Sequence, residues 1–320
     1  MTNHISDNVK RFDVALESLS PNIAMLFSML SDEEKSHIRE IRLRTDKPVI
    51  AVTSQGVSFL MPSGRLTQVY SELAVCADEK DIKETFHRLC SYSVYSFKEA
   101  INKGFITVRG GHRAGIAGTA VTENSTVTSV RDVSCINLRI AREICGAADG
   151  VFDFAFRNGL EDVVIAGPPS SGKTTVLRDL ARQLSGAERG LFAKTFVCDE
   201  RGELGAVYAG VAQNDLGINC DIITSYPKSE GIIIGIRSFS PEIIICDEIA
   251  TEDELAAVKS GLGSGVRFAL SVHAENENDL RMKPIIKNLL ATEAFKKIFL
   301  LSSRNVGRIE KCFSAGELID

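Results

Sequence analysis

The 320-residue chain contains no tryptophan, and its aromatic content is only 7%. Basic charge is not in excess either: 37 Lys and Arg against 42 Asp and Glu leave a formal net charge of −5. A groove for single-stranded nucleic acid interleaves aromatics with cations. The two deficits therefore argue against a DNA-dependent activity and against broad electrostatic attachment to anionic lipid. No apolar run reaches the length of a bilayer span, and Pro241 and Glu242 divide the most apolar region. The N-terminal stretch Met1 to Asp7 lacks an apolar centre and is not read as a secretory signal. Eight cysteines are scattered singly, with no C-x-x-C pair, which argues against a zinc framework and fits the reduced thiols of a cytosol. Internal repeats and low-complexity tracts are also missing. What remains, 44% hydrophobic and 25% charged residues over a length suited to two domains, is ordinary for a globular protein.

Along the chain, residues 8–40 are predicted helical, with Ser31-Asp32-Glu33-Glu34 as a capping box. The alternation in Ile38 to Arg44 predicts a half-buried strand, and 49–52 a second one. Residues 78–97 read as one or two helices with Ile82, Phe86 and Leu89 on a common face. From Gly104 to Ala141 the pattern turns to β, with strands expected at 105–108, 114–117, 126–130 and 136–140. This region clusters Arg109, Arg113, Arg131, Arg139 and Arg142. They either decorate a solvated sheet face, or some of them meet a nucleotide held by a neighbouring subunit. The small, flexible run Gly146 to Gly150 marks the boundary between a domain at 1–148 and a second at 149–320. Beyond it, strands and helices alternate, which predicts an α/β domain with a predominantly parallel sheet. Within it, 231–237 is ambiguous: its isoleucines favour a strand, its glycines and the crossover logic a helix. A last pair of strands is expected at 297–301 and 307–313.

The chemistry starts at Val163 to Thr175. A buried strand runs into Gly167-Pro168-Pro169-Ser170-Ser171-Gly172-Lys173-Thr174-Thr175, which matches G-x-x-x-x-G-K-[ST] in the strand–loop–helix context the pattern requires. Gly167 and Gly172 let backbone N–H groups turn inward on an anion, and the following helix adds the positive end of its dipole. Lys173 is then placed for the outer phosphates of ATP and the Thr174 hydroxyl for Mg2+. A second apolar strand ends in Asp247-Glu248, with Asp247 expected to hold the magnesium opposite Thr174 and Glu248 to orient or deprotonate the attacking water. Asp199-Glu200-Arg201-Gly202-Glu203 follows another strand of the same sheet. Its Glu200, backed by Glu203, is a candidate for water positioning or nucleotide sensing, against the plainer reading of a solvated turn. His273 ends a further strand at the same edge, either as a phosphate sensor or as a structural group. Arg237, shortly before the Asp247 strand, either reaches a phosphate or stays at the surface.

Taken together, Gly110 to Ala120, Ile136 to Ala141, the phosphate loop with Val176-Leu177-Arg178-Asp179, and Ile236 to Glu242 ahead of Asp247-Glu248-Ile249 resemble the stage III sporulation AA family, grouped with the secretion ATPases of type II and type IV systems. The resemblance runs from about Glu40 to Cys312. It implies a RecA-like P-loop core behind a smaller α+β domain, a hexameric ring, and an ATPase acting on the channel between mother cell and forespore. It further implies membrane proteins of that channel as partners, a place in the mother-cell cytoplasm at the forespore-facing membrane, an acidic box on Asp199, Glu200 and Glu203, a histidine box on His273, and an arginine from the N-terminal domain, Arg113 before Arg139, completing the nucleotide site. Ser170, Ala250 and Ala274 stand where the family pattern has glycine, and each stiffens a loop. A nucleotide-gated scaffold with negligible turnover is the alternative to a motor.

Overall fold

The computed structural model describes residues 2–102, 104–123 and 126–319 and divides into two compact units, Met1–Arg142 and Glu143–Asp320. The small-residue run at 146–150 thus opens the second unit, and 143–148 belong with it.

In the first unit, helices Thr2–Leu16, Pro21–Ser28 and Asp32–His37 precede the sheet, and the Ser31–Glu34 capping box is present. Among the described residues the sheet has seven antiparallel strands, in the order Leu66–Thr67, Gly56–Leu60, Ile50–Thr53, Ile38–Arg44, Thr126–Arg139, His112–Glu123, Phe105–Val108. The half-buried strand predicted for Ile38–Arg44 is present: Ile38, Ile41 and Leu43 are buried while Arg39 and Arg42 face out. The buried residues pack with Phe12, Phe27, Ile82, Leu89 and Leu138 in one core; Ile41 and Leu43 follow the period of two, and a register shift between Ile38 and Glu40 brings Ile38 to the same side. The two strands expected at 126–130 and 136–140 are one strand. Asp132 takes a left-handed φ of 49°, and the pairing with His112–Glu123 shifts register twice, so bulges absorb the irregularity that reads as a break.

His112 is fully buried in this core and accepts the Ala141 N–H on Nδ1 at 3.0 Å. Burial, with the Arg11 cation adding to it, pushes its pKa down to about 4. The unfolded chain takes up this proton near the ordinary value of 6.5 and the folded chain does not. Stability from this group is therefore whole above about pH 6.5 and falls as pH drops toward 4, by on the order of 3 kcal/mol. Urea unfolding at pH 7, 5.5 and 4 is expected to show that slope, and His112→Gln to flatten it relative to the parent chain. Equal slopes in the two proteins would exclude His112 as the source.

The second unit is built on strands with no polar face. β1 (Val163–Gly167), β2 (Thr195–Asp199) and β4 (Ile243–Cys246) are buried throughout, as a sheet covered on both sides requires. With β3 (Cys220–Thr224), β5 (Arg267–His273), β6 (Lys297–Leu301) and β7 (Ile309–Ser314), the described order is β3-β2-β4-β5-β1-β6-β7, parallel except for the β6–β7 pair. Helix α1 (Lys173–Ser185) lays Val176, Leu177, Leu180 and Ala181 against this sheet. The ambiguous segment is a helix, α2 (Lys228–Ile234), continued by a wider π turn at Gly235–Phe239. Its glycines decide the matter. A Cβ on Gly231 would stand 2.6 Å from the Cys198 Sγ, and one on Gly235 2.7 Å from the Phe196 ring. Two residues four apart without side chains let the helix lie directly on β2. Helix α3 (Glu252–Gly263) starts at a capping box between Thr251 and Glu254.

Candidate functional site

Parallel pairing brings the C-terminal tips of β1, β2, β4 and β5 to one edge of the sheet. At the tip of β1 the chain turns through Gly167 to Gly172 and enters α1 at Lys173. Gly172 has a φ of 95°, and Ser170, in the place where the family pattern has glycine, a φ of 60°. Serine therefore accepts the backbone that glycine would adopt freely, at a small conformational cost. A Cβ on Gly172 would stand 2.7 Å from the Gly307 nitrogen, and that nitrogen donates to the Ser171 carbonyl at 2.7 Å. The turn between β6 and β7 is thus seated on the loop. Ser171 is buried, Pro168 is half-buried, Pro169 is exposed, and Thr175 lies half-buried in the first turn of α1.

Lys173 donates through Nζ to the carbonyls of Gly167 and Pro168, both at 2.8 Å. Burial lowers its pKa, with Asp247 and Glu248 acting in the opposite sense. The Thr174 hydroxyl donates to Asp247 Oδ2 at 2.5 Å, and the Ser271 hydroxyl donates to Asp247 Oδ1. The phosphate-loop helix and the acid-tipped strand, 73 residues apart in sequence, therefore meet at one carboxylate. Ser271 also accepts the Glu248 N–H at 2.8 Å. Sequence reasoning missed it. Its only signal is a hydroxyl in the buried run Phe268 to Val272, two residues before His273.

Glu248 has a left-handed φ of 51°, and its carboxylate pairs with Arg201 at 2.6 Å, a partner that the sequence did not suggest. Asp199 does not present a free carboxylate: it accepts the N–H groups of Glu203 at 2.9 Å and Gly205 at 2.8 Å, which closes the turn after β2. Burial raises its pKa while those amides pull it down. Glu200 is half-exposed and faces the Lys228 ammonium at 3.7 Å; the Glu203 carbonyl accepts from Arg178. His273 is the register partner of Gly167 across β5 and β1, and the next residue, Ala274, donates its N–H to the Gly167 carbonyl at 3.1 Å. Arg237 is exposed in the π turn.

The arginines of the first unit are mostly engaged within it. Arg109 pairs with Glu17, Arg131 with Asp132, and Arg142 donates to the Ile38 carbonyl. Arg113 lies over the Phe105 ring at 3.6 Å and stands directly opposite Arg139, whose guanidinium is 3.7 Å from Glu40.

A glycine-bounded loop cradled at the head of a helix, with acids on strand tips at the same edge of the sheet, defines a RecA-like P-loop unit, and the folds of solved ATPases agree. The pilus retraction motor PilT, crystallised with bound ADP, superposes with a TM-score of 0.54 at 13% identity over 82% of this chain and 74% of its own. The ATPase DotB of Yersinia pseudotuberculosis gives a TM-score of 0.54 at 13% identity over 88% and 76%. Residues 15–316 match the family described as sporulation stage III, protein AA, and the chain belongs to that family. It is 34% identical over 287 residues to the stage III sporulation protein AA of Bacillus subtilis (strain 168), covering 89% of each chain. Among the described residues no helix is long and apolar enough to cross a membrane.

Proposed function

We propose that this protein binds and hydrolyses ATP with Mg2+, as a ring of identical subunits in the mother-cell cytoplasm, and so energises assembly of, or transport through, the channel between mother cell and forespore by way of that channel's membrane proteins. The observation that carries the reading is the Thr174–Asp247 contact beside Lys173. These are the hydroxyl and the carboxylate that a P-loop enzyme uses on magnesium. The donor set also fits the ion. The Thr174 hydroxyl and the Asp247 carboxylate are hard oxygen donors, and magnesium prefers one or two protein ligands completed by phosphate and water. When bound, it neutralises charge on the outer phosphates. Lys173 exchanges the Gly167 and Pro168 carbonyls for those phosphates, and the loop N–H groups hold the remainder. Glu248, or Glu200 from the neighbouring strand tip, takes the proton of the attacking water. His273, beside Gly167, reports the state of the phosphate to β5.

Arg113, with its register partner Arg139 second, is the candidate arginine for a nucleotide site shared between subunits, where it would meet the phosphates that a neighbour holds. ATPase activity per subunit is expected to rise steeply with protein concentration. Arg113→Ala is expected to lower that activity at least tenfold and to flatten the rise. A rate that is independent of concentration in both proteins would remove the shared site. The second reading, a nucleotide-gated scaffold, draws its support from the pairing of Glu248 with Arg201, which engages the carboxylate that would activate the water.

A further inference from the structure

Glu248, with a φ of 51°, occupies a left-handed backbone conformation that a residue with a side chain adopts at a conformational cost, so something must hold it there. Both peptide groups that flank its Cα are tied. The preceding N–H donates to Ser271 Oγ at 2.8 Å, and the following group is gripped at both ends: the Ile249 N–H donates to the Ser271 carbonyl at 2.9 Å, and the Glu248 carbonyl accepts from Lys228 Nζ at 2.7 Å. Fixing both planes fixes the direction in which the Glu248 side chain leaves the chain.

Lys228 is placed for this and for more. It is only 7% exposed, and its ammonium also meets Glu254 Oε1 at 3.2 Å and Glu200 Oε2 at 3.7 Å. The ammonium, with three N–H donors and no acceptor of its own, thus donates to two acceptors and has a third carboxylate at ion-pair distance. The other oxygen of Glu254 takes the N–H groups of Ala250 and Thr251. Burial acts to raise the Glu254 pKa, yet those amides and Lys228 hold it below the usual range. The first residue of α2, the exit of β4, the start of α3 and the turn after β2 are therefore joined through one buried cation. Its backbone is anchored as well, because the Cys198 Sγ donates to the Lys228 carbonyl.

We infer that Lys228 is a positioning residue for hydrolysis: its ammonium fixes the Glu248 backbone and draws Glu200 toward the same point, so that the two acids are presented together at the sheet edge. This rests on the ATPase reading above. An ammonium is needed rather than a guanidinium, because a compact donor meets the Glu248 carbonyl and the Glu254 carboxylate from one atom with Glu200 beside it, while a planar fork spreads its donors.

The test measures kcat and KM for ATP in Lys228→Met and Lys228→Arg, each made in the parent chain and in Glu248→Gln. In the parent chain, Lys228→Met is expected to lower kcat by roughly 10- to 100-fold with KM unchanged within about twofold. In Glu248→Gln the same change is expected to have little further effect, because the group it positions is no longer there. Lys228→Arg keeps a positive charge against Glu254 and serves where the methionine variant does not fold; it too is expected to lose kcat only when Glu248 is intact. The same fold-loss in both backgrounds, a rise in KM at unchanged kcat, parent activity in folded Lys228→Arg, or an unchanged kcat in Glu248→Gln would overturn the inference while leaving the ATPase reading in place. A parent chain without ATP turnover would remove both, and that outcome is visible before any variant is made.

Discussion

Lys173→Ala is expected to cut ATP turnover by about two to three orders of magnitude while leaving the unliganded protein as stable as the parent or slightly more so. The lysine makes two hydrogen bonds, both to carbonyls of its own loop, and burial lowers its pKa. A cation held in a site that disfavours its charge adds little to folding, so its removal costs the empty protein little. Those bonds look inward to the loop, whereas a phosphate would give the same ammonium an anionic partner in a half-buried setting, where charge-assisted hydrogen bonds are strong. Thermal unfolding with and without Mg-ATP separates the two effects. The parent Tm is expected to climb with nucleotide concentration, and the Tm of the variant to stay flat. A variant that unfolds early without nucleotide would give the lysine a structural role. One that keeps the nucleotide-dependent shift would place phosphate binding elsewhere.

Much of this site can be read from local pattern because it is built from local pattern. β1, the loop and the head of α1 are contiguous, and each of their requirements, a buried apolar strand, glycine at a φ of 95° and an amphipathic helix, leaves its mark on neighbouring residues. The Ser31–Glu34 and Thr251–Glu254 boxes are equally local, four residues each, and both are formed. What could not be read was made by distance. Ser271 meets Asp247 across 24 residues, Arg201 meets Glu248 across 47, and Lys228 meets the Glu248 carbonyl across 20, with no periodicity connecting any of the pairs. β3 escaped because it is an edge strand of five half-exposed residues, Cys-Asp-Ile-Ile-Thr, without the continuous apolar run that betrays β1, β2 and β4. Helices Glu277–Met282 and Pro284–Leu290 are too short for an amphipathic repeat to stand out. Ser170 shows the converse: the pattern asks for glycine, and the fold obtains the same left-handed turn from serine.

Glu248→Gln is expected to lower kcat by about 10²- to 10⁴-fold, the usual worth of a positioned proton acceptor, while ATP binding and stability stay close to the parent. The amide keeps the length of the side chain and the whole backbone, so the ties to Ser271, Ile249 and Lys228 are retained. The lost ion pair with Arg201 lies between side chains 67% and 39% exposed, and pairs so open to solvent contribute little to folding. Asp247 remains between Thr174 and Ser271, so the position proposed for magnesium is untouched. The result also separates motor from scaffold. If hydrolysis drives the channel, a protein that binds ATP but does not cleave it should fail to support sporulation, and subunits should accumulate in the ATP-bound assembly. If binding alone is required, sporulation should proceed in the amide variant as in the parent, and the Arg201–Glu248 pair would then be the resting state of a site seldom asked to turn over. Unchanged kcat would move the water-activating role to Glu200, which lies on the other side of the same Lys228 ammonium.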